Sequence, residues 1–392
     1  MSLAESTKAS TAPASSQSKL PTRFPELDGL RGLAILLVVL CHYVANADHA
    51  RLGFWPHHLL SALTVGWSGV DMFFVLSGFL IGGILLDVRE SPRYFKTFYA
   101  RRIFRILPIY YLWILIYALI VVAGLYGGFA RLPVERRDMN AVPVYLLFLQ
   151  NLIYAPSPFQ WKWFVVTWSL AVEEQFYLLA PIVIRHVSVR RLCWLLGVVI
   201  CIAPLLRLAV YMYFPRFSYL AGFAMPCRAD ALSLGILAAA AWRQDRFKNY
   251  LSSQPAVLSL CLALLFVPVA ALAPWFVRPT GVVTYAIGYS ALALFYTCLL
   301  LHAITQADGF VAKILRARWL RYLGGISYCV YLVHLTINQW AHHLLLHSEP
   351  QLYDLRGLSV TLLAALVTWT VAATSWKYVE GPALCRGHQF VY

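Results

Sequence analysis

Ten runs of about 20 mostly apolar residues follow one another along this chain, at 28–46, 62–86, 105–126, 166–186, 192–214, 221–242, 257–276, 283–304, 326–346 and 358–379. A run of that length crosses a hydrocarbon core of about 30 Å as an α-helix, the form in which a segment satisfies all its own backbone N–H and C=O groups. The runs take up most of the 392 residues, so the expectation is an all-α polytopic membrane protein of ten transmembrane helices with no second soluble domain. An eleventh apolar stretch, 143–156, is bounded by prolines and too short to span. It reads as a re-entrant or interfacial segment.

Charge placement supports the same reading. Hydrophobic side chains make up 60% of the chain and charged ones 12%, against about 45–50% and about 25% in soluble domains. The net charge of +15 would suit a nucleic-acid binder, but Lys and Arg sit in short clusters between apolar runs. With the N-terminus inside and 143–156 not crossing, 22 of the 32 basic residues face the cytosol and 8 face outward. That is the positive-inside pattern, and it puts both termini in the cytoplasm, with a bacterial inner membrane as the expected location. Residues 1–24, rich in Ser, Ala and Thr, read as a disordered cytosolic tail without a signal peptide's apolar core. The membrane domain then covers 25–382, followed by a short tail, 383–392. The eight cysteines form no C-x-x-C pair and fall mostly inside apolar runs, so they read as small buried hydrophobes and no metal is expected.

An ionisable side chain at membrane depth is costly and marks a functional site when it faces the bundle interior. In the first run, Asp28, Arg31 and His42 share a face, because the 11 residues from Arg31 to His42 return to within about 20° at about 100° per residue, roughly 16 Å further along the axis. His42, Asp71, Glu173, Glu174, Arg228 and Asp230 all fall in the outer halves of their spans. One reading makes them a site; the other makes them a structural charge network in which Arg228 pairs with Asp230 or Asp71. Ser169 and Tyr177 lie four residues either side of Glu173 on its helix face. Arg102 and Arg105 stand one helical turn apart at the inner mouth of the third run, where two guanidinium groups can converge on a phosphate or simply anchor the helix at the headgroups.

Six blocks in order carry a resemblance to a known family: E-L-D-G-L-R-G-L-A-I-L-L-V-V-L-C-H (26–42), G-V-D-M-F-F-V-L-S-G-F-L-I (69–81, with Ser77), R-R-I-F-R-I-L-P (101–108), W-S-L-A-V-E-E-Q-F-Y-L (168–178), R-A-D-A-L-S-L-G (228–235) and I-S-Y-C-V-Y-L-V-H (326–334). From about Glu26 to Pro382 the chain resembles the membrane-bound acyltransferase 3 family, which O-acylates carbohydrates and related acceptors. The family's basic residue, ten residues and His are met by Arg31 and His42, and its R-x-x-R by Arg102 and Arg105. The resemblance implies that His42 is catalytic, that these arginines serve an acyl-CoA donor, acetyl-CoA first, and that the acceptor is a sugar hydroxyl of a surface polysaccharide or other glycoconjugate. Leu335 and Thr336 follow His334 where an aromatic and a proline are common in the family, which leaves His334 without an assigned role. Relatives that carry an appended extracytoplasmic esterase-like domain are not matched in that respect.

His, with an ordinary pKa of about 6.5, suits a general base for a hydroxyl nucleophile. An acyl-histidine intermediate is the variant open beside it. Glu173 either orients His42 or holds the acceptor, and Asp28, Asp71, Ser77, Glu174, Tyr177, Arg228 and Asp230 form the surrounding polar network. The rival classes are a proton-coupled transporter or flippase of a glycan intermediate, with the same residues as a relay, and a structural subunit of a polysaccharide-export complex.

Overall fold

The ten apolar runs fold almost entirely as helix over their described residues, with breaks at Phe214 and Ala224, and no strand occurs among the described residues. A computed structural model of the protein describes residues 24–44, 63–126, 139–153, 163–276, 281–352 and 354–392. The expected N-terminal tail up to residue 23 lies outside them, as do the expected outer loop at 131–138 and residues 154–156 of the short apolar stretch. The order is α1 (Pro25–Val44), α2 (Gly69–Asp87), α3 (Tyr94–Tyr126), α4 (Val142–Leu146), α5 (Trp168–His186), α6 (Val189–Tyr213), α7 (Leu220–Phe223), α8 (Met225–Trp242), α9 (Asp245–Ser253), α10 (Pro255–Phe276), α11 (Tyr289–Thr305), α12 (Phe310–Leu315), α13 (Arg318–Leu346), α14 (Leu355–Ser375) and α15 (Gly381–His388). The start of α6 is capped by the Ser188 hydroxyl and that of α14 by the Asp354 carboxylate, which accept from backbone N–H groups left free in a first turn.

Seven described helical stretches are long and apolar enough to cross a membrane, and eight if α9 and α10, bent by 81° at their junction, form one broken span. The expected ten is not reached on length and apolarity. Besides α10, which counts only together with α9, the expected spans that fall short are α5, which carries Glu173, Glu174 and Arg185, and α13, which carries Arg318, Arg321, His334, Asn338, Gln339, His342 and His343. Of these residues, Glu173 and His334 belong to the site described below. At the short apolar stretch 143–156, α4 has five residues, about 7.5 Å of helix. After it comes Phe148, whose φ of 54° lies in the left-handed region. The stretch is tied along α5 by paired amide bonds between Asn151 and Gln175 at 3.1 and 2.8 Å, and by Gln150 Nε2 donating to Thr167 O at 3.0 Å.

Large apolar side chains such as Leu119, Leu205, Leu264 and Leu362 are exposed, as a lipid-facing surface requires. Inside, glycine sets how closely helices approach. A Cβ on Gly324 of α13 would run into the carbonyl oxygen of Asp28, and one on Gly32 of α1 into that of Leu320. From that crossing α1 and α13 run side by side in the same direction and meet again at His42 and His334. Gly78 and Gly235 do the same for α2 and α8. Without a hydrophobic force between helices in lipid, close backbone packing of this kind is a main source of association.

Buried charges pair across helices. Arg207 of α6, fully buried, places two guanidinium nitrogens 3.0 Å from one Asp230 oxygen on α8 and also donates to Cys227 O, Tyr285 O and Ser290 Oγ. Arg228 of α8 meets Asp71 of α2 at 2.6 Å, with its guanidinium 3.6 Å above the Tyr289 ring. Arg228 therefore pairs with Asp71 and not with Asp230, whose partner Arg207 lies on another helix. Removing one member of a buried pair leaves a bare charge. Arg207→Met is thus expected to cost about 3 kcal/mol, read as a lower melting temperature of the purified protein in detergent. The double variant Arg207→Met with Asp230→Leu should recover most of the loss, and a melting temperature unchanged by the single substitution would contradict this reading.

Candidate active site

Helices α1, α2, α3, α5 and α13 enclose a cavity of about 850 Å³ including its open end. One helical turn brings Arg102 and Arg105 of α3 into it together, and Arg31 of α1 joins them at the same end. Arg31 is held by Asp28 one turn earlier at 3.2 Å. The Arg102 guanidinium lies 5.9 Å from the centroids of both the Phe98 and Tyr177 rings, and its Nε has no hydrogen-bond partner among the described residues. Next to Arg102, the C-terminal segment docks on α3: Arg101 Nε donates to Phe390 O and Thr97 Oγ1 to Val391 O, both at 3.0 Å. The expected short tail is thus the helix α15 followed by a strap bound at the arginine end.

Midway along the cavity, α5 contributes Ser169, Glu173 and Tyr177 from one face, as their spacing predicts. The Tyr177 hydroxyl donates to Glu173 Oε2 at 3.0 Å. Its proton being committed there, the Ser77 hydroxyl at 2.8 Å donates to the tyrosine oxygen. At the other end, Tyr331 of α13 donates to Val166 O at 2.8 Å and receives the Ser169 hydroxyl at 2.6 Å. Tyr331 is also the link to the histidines, because its carbonyl oxygen lies 2.9 Å from His334 Nδ1.

His42 does not line this cavity directly. It stands beyond Tyr331, half-buried, with Nδ1 2.9 Å from Nε2 of the fully buried His334 and the two rings 5.1 Å apart. His42 Nε2 has no hydrogen-bond partner among the described residues. Its ring partner is His334 rather than Glu173, which is engaged with Tyr177. Of the expected site residues, the fold thus gathers Arg31, Ser77, Arg102, Arg105, Glu173 and Tyr177 around one cavity with Ser169. Asp71, Arg228 and Asp230 lie in the neighbouring ion-pair network, the structural alternative of the sequence reading. Glu174 does not line the cavity, and one of its oxygens is buried without a partner among the described residues.

Residue reasoning passed over His334, Tyr331 and Arg207. His334 closes the block 326–334 and satisfied the test applied to His42, an ionisable group inside an apolar run; the sequence held no sign that the two rings meet.

Comparison with known proteins places the chain in a family. The family model of the acyltransferase 3 domain, described as an acyltransferase domain, matches residues 24–377. Peptidoglycan O-acetyltransferase OatA of Listeria monocytogenes is 28% identical over 93% of this chain and 56% of its own length. The Bacillus subtilis protein YrhL, provisionally assigned the same activity, is 27% identical over 93% of this chain and 55% of its own. Staphylococcus aureus proteins provisionally named O-acetyltransferases are 24% identical over 91% of this chain. The chain spans a little over half the length of these curated relatives. No solved structure matches it.

Proposed function

The chain belongs to the acyltransferase 3 family, and we propose that it moves an acetyl group from acetyl-CoA to a sugar hydroxyl of a cell-surface glycan, with peptidoglycan the first acceptor to try. The observation that carries this is the polarity of the site: three arginines converge at one end of a cavity and a histidine pair with a free ring nitrogen stands beyond the other. Arg31, Arg102 and Arg105 suit the phosphates of a CoA donor entering from the cytoplasm, the side to which the positive-inside bias assigns them. The acceptor then approaches His42 from outside.

In the direct mechanism the acceptor O–H gives its proton to His42 Nε2 while the oxygen attacks the thioester carbonyl. The C–S bond breaks, and the leaving thiolate takes the proton back from His42. The variant in which Nε2 first accepts the acyl group uses the same nitrogen. Glu173, Tyr177 and Ser77, hydrogen-bonded to one another along the cavity wall, are placed to line the donor's path. The transporter reading is not favoured, since the named relatives are O-acetyltransferases and the most deeply buried cations are held in pairs across helices.

The test is reconstitution. Purified protein in vesicles, given labelled acetyl-CoA on one side and soluble glycan fragments on the other, is expected to yield alkali-labile acetyl esters detectable by mass spectrometry. Vesicles that form no ester with any glycan, under conditions where a family relative does, would remove the proposal.

A further inference from the structure

We infer that His334 is a positioning residue that fixes the tautomer of His42, so that the nitrogen facing the reaction carries the lone pair. This deepens the proposed function and rests on it only for the kinetic part of the test. His334 Nδ1 lies 2.9 Å from Tyr331 O and 3.1 Å from Val330 O. A carbonyl oxygen only accepts, so the proton of that contact is on His334 Nδ1. In a neutral imidazole the other nitrogen is then an acceptor, and His334 Nε2 turns its lone pair toward His42. His42 Nδ1, 2.9 Å away, must be the N–H donor. The remaining His42 nitrogen, Nε2, is left unprotonated, and it is the one without a partner among the described residues.

Burial separates the two roles. His334 is fully buried, and the backbone of its own helix takes one ring nitrogen while His42 takes the other, so it has no atom to offer a substrate. His42 is only half-buried. Tyr43, the residue after His42, donates its hydroxyl to the His334 carbonyl oxygen at 3.3 Å, so α1 is pinned to α13 on both sides of the ring contact. When His42 Nε2 takes a proton, the imidazolium donates through Nδ1 to His334 Nε2, and that charge-assisted bond is stronger than the neutral one it replaces. A carboxylate serves this purpose in catalytic triads; here a neutral ring does so, at a depth where a second full charge would be costly.

The test has a readout that needs no acyl transfer. In ring-¹⁵N-histidine protein in nanodiscs, with His42 assigned by its disappearance in His42→Gln, His42 is expected to show a protonated Nδ1 and an unprotonated Nε2. In His334→Leu, which offers no acceptor, His42 should become a mixture of tautomers. In His334→Gln, whose amide oxygen accepts, it should remain as in the wild type. Kinetically, His334→Leu is expected to lower kcat about 10- to 100-fold, the range for loss of an orienting partner behind a reacting group, with an unchanged KM for acetyl-CoA, while His334→Gln stays within a few-fold of wild type. An unaltered His42 spectrum in His334→Leu overturns the inference, as does a protonated Nε2 in the wild type, or a Gln variant as impaired in kcat as the Leu variant. Failure of the reconstitution with the expected tautomers in place would count against the proposed function alone.

Discussion

Replacing His42 by Ala or Gln is expected to abolish acyl transfer, with a loss of at least about 10²-fold and up to about 10⁴-fold, the range for removing a catalytic base. The two substitutions separate chemistry from structure. Ala leaves the buried His334 Nε2 without its donor, a cost of about 1–3 kcal/mol, whereas Gln keeps an N–H where His42 Nδ1 now stands 2.9 Å from that nitrogen and loses only the free lone pair at Nε2. Both variants are therefore expected to insert and purify as wild type does, His42→Gln with little change in melting temperature. Both should fail to esterify a glycan at saturating donor and acceptor, so the loss falls on kcat. If His42→Gln turned over at near-normal rate, the free nitrogen would have no part in the reaction, and both the direct and the acyl-histidine mechanisms would fall with it.

The second large effect is expected at the arginine end. Arg102→Ala and Arg105→Ala raise the KM for acetyl-CoA by about 10-fold or more each, because a hydrogen bond to a charged group contributes about 1.5–3 kcal/mol, while the KM for the glycan changes little. The Arg→Lys pair is the informative one. Lysine meets any topological need for positive charge but cannot make a planar, bidentate contact with phosphate. Nor can it reproduce the flat guanidinium that Arg102 now extends between the Phe98 and Tyr177 rings. The double lysine variant should insert normally and still show a raised donor KM in a titration on protein in lipid. An unchanged donor KM in the alanine and lysine variants alike would return both residues to headgroup anchoring and remove the support for a CoA entrance at that end.

Local periodicity made much of this site legible in the sequence. Arg31 and Asp28, Arg102 and Arg105, and Glu173 and Tyr177 each lie three or four residues apart, and a helix places such neighbours on one face whatever the rest of the chain does. Arg31 and Asp28, expected on one face, meet at 3.2 Å, and Tyr177 and Glu173, likewise expected on one face, meet at 3.0 Å. The all-helical membrane class followed as directly, since lipid leaves the backbone few other choices. Counting spans by apolarity was less secure, because α5 and α13 carry charged and polar side chains, only some of them toward the cavity, and so lose the uniform apolar composition by which a lipid-spanning helix is identified.

Pairings between helices belong to the tertiary structure. His42 and His334 are 292 residues apart and Asp71 and Arg228 are 157 apart; no spacing rule connects them. Whether Asp230 would turn to Arg228 beside it or to Arg207 on another helix depends on how α6, α8 and α2 are rotated against each other. Gly78 and Gly235 set the approach of α2 and α8, by letting the backbones come together where any Cβ would collide. The sequence by itself determined which chemical groups are present and which of them share a helix face, because those follow from 3.6 residues per turn. Only the packed bundle decided which faces meet, and so that the free nitrogen of His42 is backed by a second histidine and not by Glu173.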